Sequence, residues 1–248
     1  MITDELLELL AGRAEHRVIR DVRIGLGYTA VLLDDGACGL AYTFRDEAEE
    51  GCSALQQAGS VAGRSAPEVI AWANALDAVT AAVGLATLNA LIEPPADALE
   101  ADVRELIRVR SEDVVGMVGY FGPLLTFLRD RAARLHIFER RPAQEPDLHP
   151  TWTAPMLLPE CDVVIITSAS LVTRALDDLL ERADRAHELV LLGPSTPMLP
   201  DVFAKRRVTL LSGVHVVDSA RLLRVVSEGG GTQKFGTAVR KLVLRLDA

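Results

Sequence analysis

Three short segments carry the residue types that could do chemistry. The stretch "VVGMVGYFGPLLTFLRD", from Val114 to Asp130, spaces Gly116, Gly119 and Gly122 as G-x-x-G-x-x-G. Glycines at a strand-to-helix turn let backbone approach a ligand closely, and the following helix offers free N–H groups to an anion. The strict dinucleotide fingerprint is G-x-G-x-x-G, and this chain departs from it. Glu139 follows Gly119 by about 20 residues, where an acid in a nucleotide-binding unit accepts hydrogen bonds from ribose hydroxyls. The third signal is paired: "TSAS" (Thr167 to Ser170) and "GPST" (Gly193, Pro194, Ser195, Thr196) both end apolar runs. Each feature has a plainer reading. Glycines can serve the turn alone, Gly-Pro can simply end a strand, and Glu139 can pair with Arg140 or Arg141.

The elements that position these segments follow from periodicity. After Pro94-Pro95, strands alternate with helices: "VVGMVGYF", "RLHIFER", "DVVIIT", "ELVLLG" and "VTLLSGVHVV" against "GPLLTFLRDRAA" and "LVTRALDDLLERADRA". Such alternation indicates a parallel sheet covered on both faces, and continuous apolar runs suit its buried strands. Ligands of open α/β sheets bind at the carboxyl ends of the strands, so one rim should gather Gly119, Glu139, Thr167, Ser168, Gly193 and Ser195.

The first part reads differently. Thr3 to Ala14 is a helix capped by Thr3 or Asp4. Next comes an antiparallel meander with a turn at Asp35-Gly36. Residues 45–63 form an irregular connection, and one long helical region starts near Pro67. The fold class is therefore α/β, with a parallel-sheet domain at 97–248 preceded by a smaller α+β domain at 1–96. "SEGGGTQKFG", Ser227 to Gly236, reads as a flexible loop.

Composition excludes several functions. Hydrophobic residues make up 49%, charged residues 25% and aromatics 4%, with a net charge of −9. An acidic chain without basic runs and poor in aromatics is not a nucleic-acid binder. No apolar run approaches a membrane span, and no basic leader precedes the acidic N-terminus. Cys38, Cys52 and Cys161 are scattered and odd in number, which fits a reducing cytoplasm. None of the five histidines forms H-x-x-x-H; His136 and His187 read as structural or solvated, while His149 and His215 could face a cleft. Neither a G-x-S-x-G elbow nor a G-x-x-x-x-G-K-[ST] loop occurs.

Taken together, "VVGMVGYFGPL", "FERRP", "CDVVIITSASLVTRALDDLL" and "LVLLGPSTPMLPDVF", preceded by "GLGYTAVLL", "GLAYTF", "GRSAPEV" and "GLATLNAL", resemble a family linked to heavy-metal chelation. The resemblance covers nearly the whole chain. It implies a lead domain like the N-terminal domain of enolase, then a Rossmann-like domain, with the site in the cleft between them. By position, Gly116, Gly119, Tyr120 and Phe121 match the family's glycine turn, and Glu139 its strand-end acid. Thr167 and Ser168 match its hydroxyl-bearing strand end, Gly193, Pro194, Ser195 and Thr196 its "GPST" segment, and Asn89 its "LNA". Thr173 departs from the asparagine of relatives. The implied ligand is a small chelator, pterin-, flavin- or siderophore-like. Two alternatives stay open: a nucleotide-cofactor enzyme using S-adenosylmethionine or a nicotinamide, and a non-catalytic carrier of a metal chelate. The residues present suggest no protein-only metal site; metal would arrive on an organic chelator. Catalysis and a homodimer are left open.

Overall fold

The computed structural model describes residues 1–47, 53–140 and 146–246. Helices are α1 (Ile2–Ala14), α2 (Ala66–Ile70), α3 (Ala78–Ala90), α4 (Gly122–Arg129), α5 (Ala154–Leu157), α6 (Leu176–Arg182), α7 (Pro200–Phe203), α8 (Ser219–Ser227) and α9 (Thr232–Phe235). Strands are β1 (Ile19–Ile24), β2 (Tyr28–Leu33), β3 (Cys38–Tyr42), β4 (Val114–Val118), β5 (Arg134–Glu139), β6 (Leu148–Pro150), β7 (Val163–Thr167), β8 (Glu188–Leu192), β9 (Leu210–Val216) and β10 (Val239–Arg245).

The mixed α/β architecture has a small antiparallel sheet, β1-β2-β3, and a seven-stranded sheet ordered β10-β9-β8-β7-β4-β5-β6. Within the large sheet only β10 runs antiparallel. Counting its strands along the chain, the order is 3-2-1-4-5-6-7, so the first six follow the doubly wound order, whose direction of winding reverses between β4 and β7. Val115, Met117, Val163 and Ile165 point to one face, where Leu124, Leu125 and Leu128 of α4 cover them. Val164, Ile166, Leu189 and Leu191 point to the other, against Leu176, Leu179 and Leu180 of α6. Both faces are thus buried, which is why these strands are apolar throughout.

The small sheet is also covered on both faces. Val31, Leu33 and Ala41 join the core that runs through α1 and α3 into the large sheet. Ala30, Leu32 and Leu40 pack on Leu222, Leu223 and Val226 of α8 and on Phe235. The strand period of two sends alternate residues to opposite faces.

Four local expectations are corrected. The long helical region breaks at Ala75-Leu76, and α3 restarts after Asp77, whose carboxylate accepts from the Thr80 N–H. The N-cap of α1 is Met1 rather than Thr3 or Asp4. Ser227 to Gly236 is not a free loop, since it carries α9 and the fully buried Phe235. Further, α8, β6 and β10 were not anticipated; an arginine-glutamate network holds the end of β10. Glu188, itself buried, takes Arg245 Nη1 at 2.9 and 2.7 Å and the Arg108 N–H at 3.1 Å. Cys52, Arg141 and residues 48–52 of the 45–63 connection lie outside the described residues.

Helix α3 is buried on almost every side, and its small residues are the reason. A Cβ on Gly39 of β3 would stand 2.1 Å from the Ala86 carbonyl oxygen, so strand and helix touch backbone to backbone. Gly39→Ala must push them apart. We expect a loss at or above the upper end of the ~1–3 kcal/mol usual for overpacking, read by urea unfolding. A loss below about 0.5 kcal/mol would show that the contact gives way freely.

Candidate functional site

Four strand ends converge on one rim. After β4, Gly119 takes φ +93°, a conformation that favours glycine, and donates its N–H to the Phe138 carbonyl at 2.9 Å. A Cβ there would lie 3.1 Å from the Thr167 side chain, so the turn also lets β4 and β7 end close together. After β7, Thr167 Oγ1 accepts from the Ala169 N–H, and Ser170 donates to the Thr167 carbonyl at 2.6 Å. Ser168 is buried, and its hydroxyl has no partner among the described residues. After β8, Gly193 takes φ +134° directly over that hydroxyl; a Cβ would come within 2.9 Å of it.

The 193–196 segment is fastened from two sides. Thr196 Oγ1 lies 2.7 and 2.8 Å from the carbonyls of Gly193 and Ser212, holding the turn on β9. Ser195 Oγ accepts the backbone N–H of Tyr42, the last residue of β3, at 2.8 Å. Asn89 of α3 donates through Nδ2 to the carbonyls of Leu40 at 2.8 Å and Ser195 at 3.1 Å. These bonds tie the small sheet to the large one.

Between them lies a cavity of about 510 Å³. The chain has only three tyrosines and six phenylalanines. All three tyrosines, with Phe44, Phe121, Phe138 and Phe235, line this cavity. Tyr28 and Tyr42 are cross-strand partners with ring centroids 5.7 Å apart, edge to face. Phe235 meets Tyr28 at 5.1 Å and Phe44 meets Tyr42 at 4.9 Å. Burial, and secondarily Tyr42, pushes the Tyr28 hydroxyl well above the ordinary phenol range. At the mouth, the Arg140 guanidinium pairs with Glu47 and lies over the Phe44 ring at 5.4 Å. Glu139 accepts the Arg140 N–H at 2.7 Å. Arg104 holds the Asp102 carboxyl below its usual range, and Lys241 completes the rim.

Of the residues singled out from sequence, Gly119, Tyr120, Phe121, Glu139, Thr167, Ser168, Gly193, Pro194 and Ser195 line the cavity, as does Thr173. Gly116, Thr196 and Asn89 do not. Gly116 lies within β4, where a Cβ would strike Cys161 and Leu158. Thr196 and Asn89 stand behind the wall and brace it. Sequence reasoning missed Tyr28, Tyr42, Phe44 and Phe235; the shared "GYT" and "AYT" pattern at matched strand positions was the available signal. His149 and His215 do not face the cavity. His149 Nε2 lies 2.9 Å from His136 Nδ1 at the far edge of the large sheet, and His215 is on β9 by a separate small pocket. His187 bonds the buried Asp113. Among the described residues no three His, Cys, Asp or Glu side chains are grouped to hold a metal ion. No described helix is long and apolar enough to cross a membrane.

An α/β protein with this cavity at the strand ends has relatives across nearly its full length. Two profiles, each described as "Putative heavy-metal chelation", match residues 7–92 and 102–245. The chain belongs to this family. An uncharacterized protein of Methanocaldococcus jannaschii is 26% identical over 99% of this chain and 97% of its own length. A crystal structure of a family member of unknown function from Pyrococcus horikoshii superposes with a TM-score of 0.86 at 26% identity, covering 99% of this chain and 100% of that one. Another, from Desulfitobacterium hafniense, gives 0.76 at 26% identity over 98% of both chains.

Burial pushes both described thiols, Cys38 and Cys161, up to about 12. A folded-state value raised above the ordinary one leaves stability intact below the ordinary titration and removes it above. The thermal midpoint should therefore stay level up to about pH 8.5 and fall at higher pH. Cys38→Ala should make that decline shallower, whatever its effect at neutral pH. Parallel curves for the two proteins would show that Cys38 does not contribute.

Proposed function

We propose that this protein binds or processes a small flat ligand, of the chelator, pterin, flavin or siderophore type, in the cavity between the two sheets. The observation that carries this reading is the gathering of all three tyrosines and four of the phenylalanines of an aromatic-poor chain around one cavity. Its volume falls within the ~300–1,000 Å³ typical of small-molecule sites. Aromatic faces favour planar, conjugated ligands through stacking. On this reading a heavy metal arrives on an organic chelator, because the cavity walls supply hydroxyls and paired charges rather than clustered thiolates or imidazoles.

A second reading rests on Glu139. It ends β5, next to the glycine turn of a doubly wound sheet, where an acid accepts ribose hydroxyls. That would suit a nucleotide cofactor, for methyl transfer from S-adenosylmethionine or hydride transfer with a nicotinamide. A non-catalytic carrier is the third, supported by Ser168, whose hydroxyl has no described base beside it.

A thermal-shift panel separates these readings, since a ligand at 100 times its Kd stabilises by ~2.7 kcal/mol. The expected hits are pterins, flavins or metal chelates. Hits confined to S-adenosylmethionine, S-adenosylhomocysteine or NAD would replace the first reading with the second. Charge-assisted hydrogen bonds are worth ~1.5–3 kcal/mol, so Glu139→Gln should weaken the panel's best ligand roughly tenfold with little change in stability. Equal affinities by titration calorimetry would assign Glu139 to structure alone.

A further inference from the structure

The cavity's two strand tyrosines have an unused capability. Tyr28 and Tyr42 face each other across β2 and β3, and both are held rigidly. The Tyr42 backbone is fixed by Ser195, and the neighbouring Thr29 and Thr43 hydroxyls bond each other at 2.9 Å. Each ring is wedged edge to face against its aromatic neighbours. Yet neither phenol oxygen has a hydrogen-bond partner among the described residues, and neither is sealed from the cavity. Two such phenols on one wall can therefore each present an O–H to a group that enters the cavity.

We propose that Tyr28 and Tyr42 form a paired donor edge that selects flat ring systems bearing carbonyl oxygens in the plane of the ring. This deepens, and rests on, the reading of the cavity as a site for planar ligands. Faces and edges then divide the work. Neighbouring aromatic rings hold the ligand's face by contact that any flat molecule could make. The phenols read its rim, and a ring without acceptors leaves both unpaired. Leaving such groups unmet is the stronger source of selectivity in small-molecule sites. Burial keeps Tyr28 protonated far into the alkaline range, so it acts as a donor and not as a phenolate metal ligand. Because the donors sit on strands, little ordering is needed on binding.

The test compares lumazine, a bicycle with two ring carbonyls, with naphthalene, its hydrocarbon counterpart, in equilibrium binding at pH 7. Wild type should bind lumazine at least tenfold more tightly than naphthalene. Tyr28→Phe and Tyr42→Phe keep the rings and delete only the hydroxyls. Each should raise the lumazine Kd at least fivefold and leave the naphthalene Kd within twofold. Lumazine affinity unchanged in both variants, or naphthalene bound as tightly as lumazine by wild type, overturns the donor edge while leaving the planar-ligand site standing. If wild type binds neither probe, the planar-ligand reading falls as well. Should one variant not fold, the other makes the same comparison.

Discussion

One backbone amide organises the molecule. The N–H of Tyr42 reaches past the end of its own sheet to the Ser195 hydroxyl, while Asn89 reaches from α3 to the carbonyls of Leu40 and Ser195. The two sheets share no strand, so backbone ladders cannot set their relative position. A common apolar core presses them together, but apolar contact is non-directional. Hydrogen bonds supply the direction. A buried amide left without its acceptor costs ~1–3 kcal/mol, which is enough to favour one arrangement strongly. The same bonds shape the cavity, because Ser195 stands on its large-sheet wall and Tyr42 on its small-sheet wall, with Asn89 bracing them from behind. Gly39 belongs to this arrangement too. Without its bare backbone, α3 would ride too high on β3 for Asn89 to reach the strand.

This division of labour explains what could be read from the sequence. Buried parallel strands announce themselves as unbroken apolar runs, so "DVVIIT" and "ELVLLG" were plain. The meander followed from alternation and from Asp35-Gly36, where Gly36 takes φ +94°. Strand β10, "VRKLVLR", was hidden because Arg240, Lys241 and Arg245 leave it an apolar run of only Leu242, Val243 and Leu244. Phe235 was hidden because local polarity in "SEGGGTQKFG" says nothing about what α8 brings near. The site divided in the same way. Strand-end glycines and hydroxyls are local signals, whereas the Asn89–Ser195 and Tyr42–Ser195 bonds join residues far apart in sequence. Pattern alone gives Ser195 and Asn89 the look of ligand groups. The fold shows that much of their hydrogen-bonding capacity is used to hold the wall.

The chemistry of the cavity is correspondingly specialised. Its charges are mostly paired at the mouth, Arg140 with Glu47 and Arg104 with Asp102, so they shape the entrance without dominating it. Deeper in, aromatic surface and neutral hydroxyls prevail. On the proposed reading such a pocket grips a flat organic molecule, and metal enters only as that molecule's cargo. The family description then refers to what the ligand holds, and the protein's own contribution is shape, stacking and donors.

Hydrogen exchange at the Tyr42 amide tests the clamp most directly. In wild type this amide should be protected to a degree comparable with the ladder amides of β2 and β3, although it lies at the strand end. Ser195→Ala should cut its protection at least tenfold while the amides of Ala30 and Leu32 keep theirs. If Tyr42 exchanges at the same rate in both proteins, the Ser195 hydroxyl is not what joins the sheets, and the account of how the cavity is built is wrong.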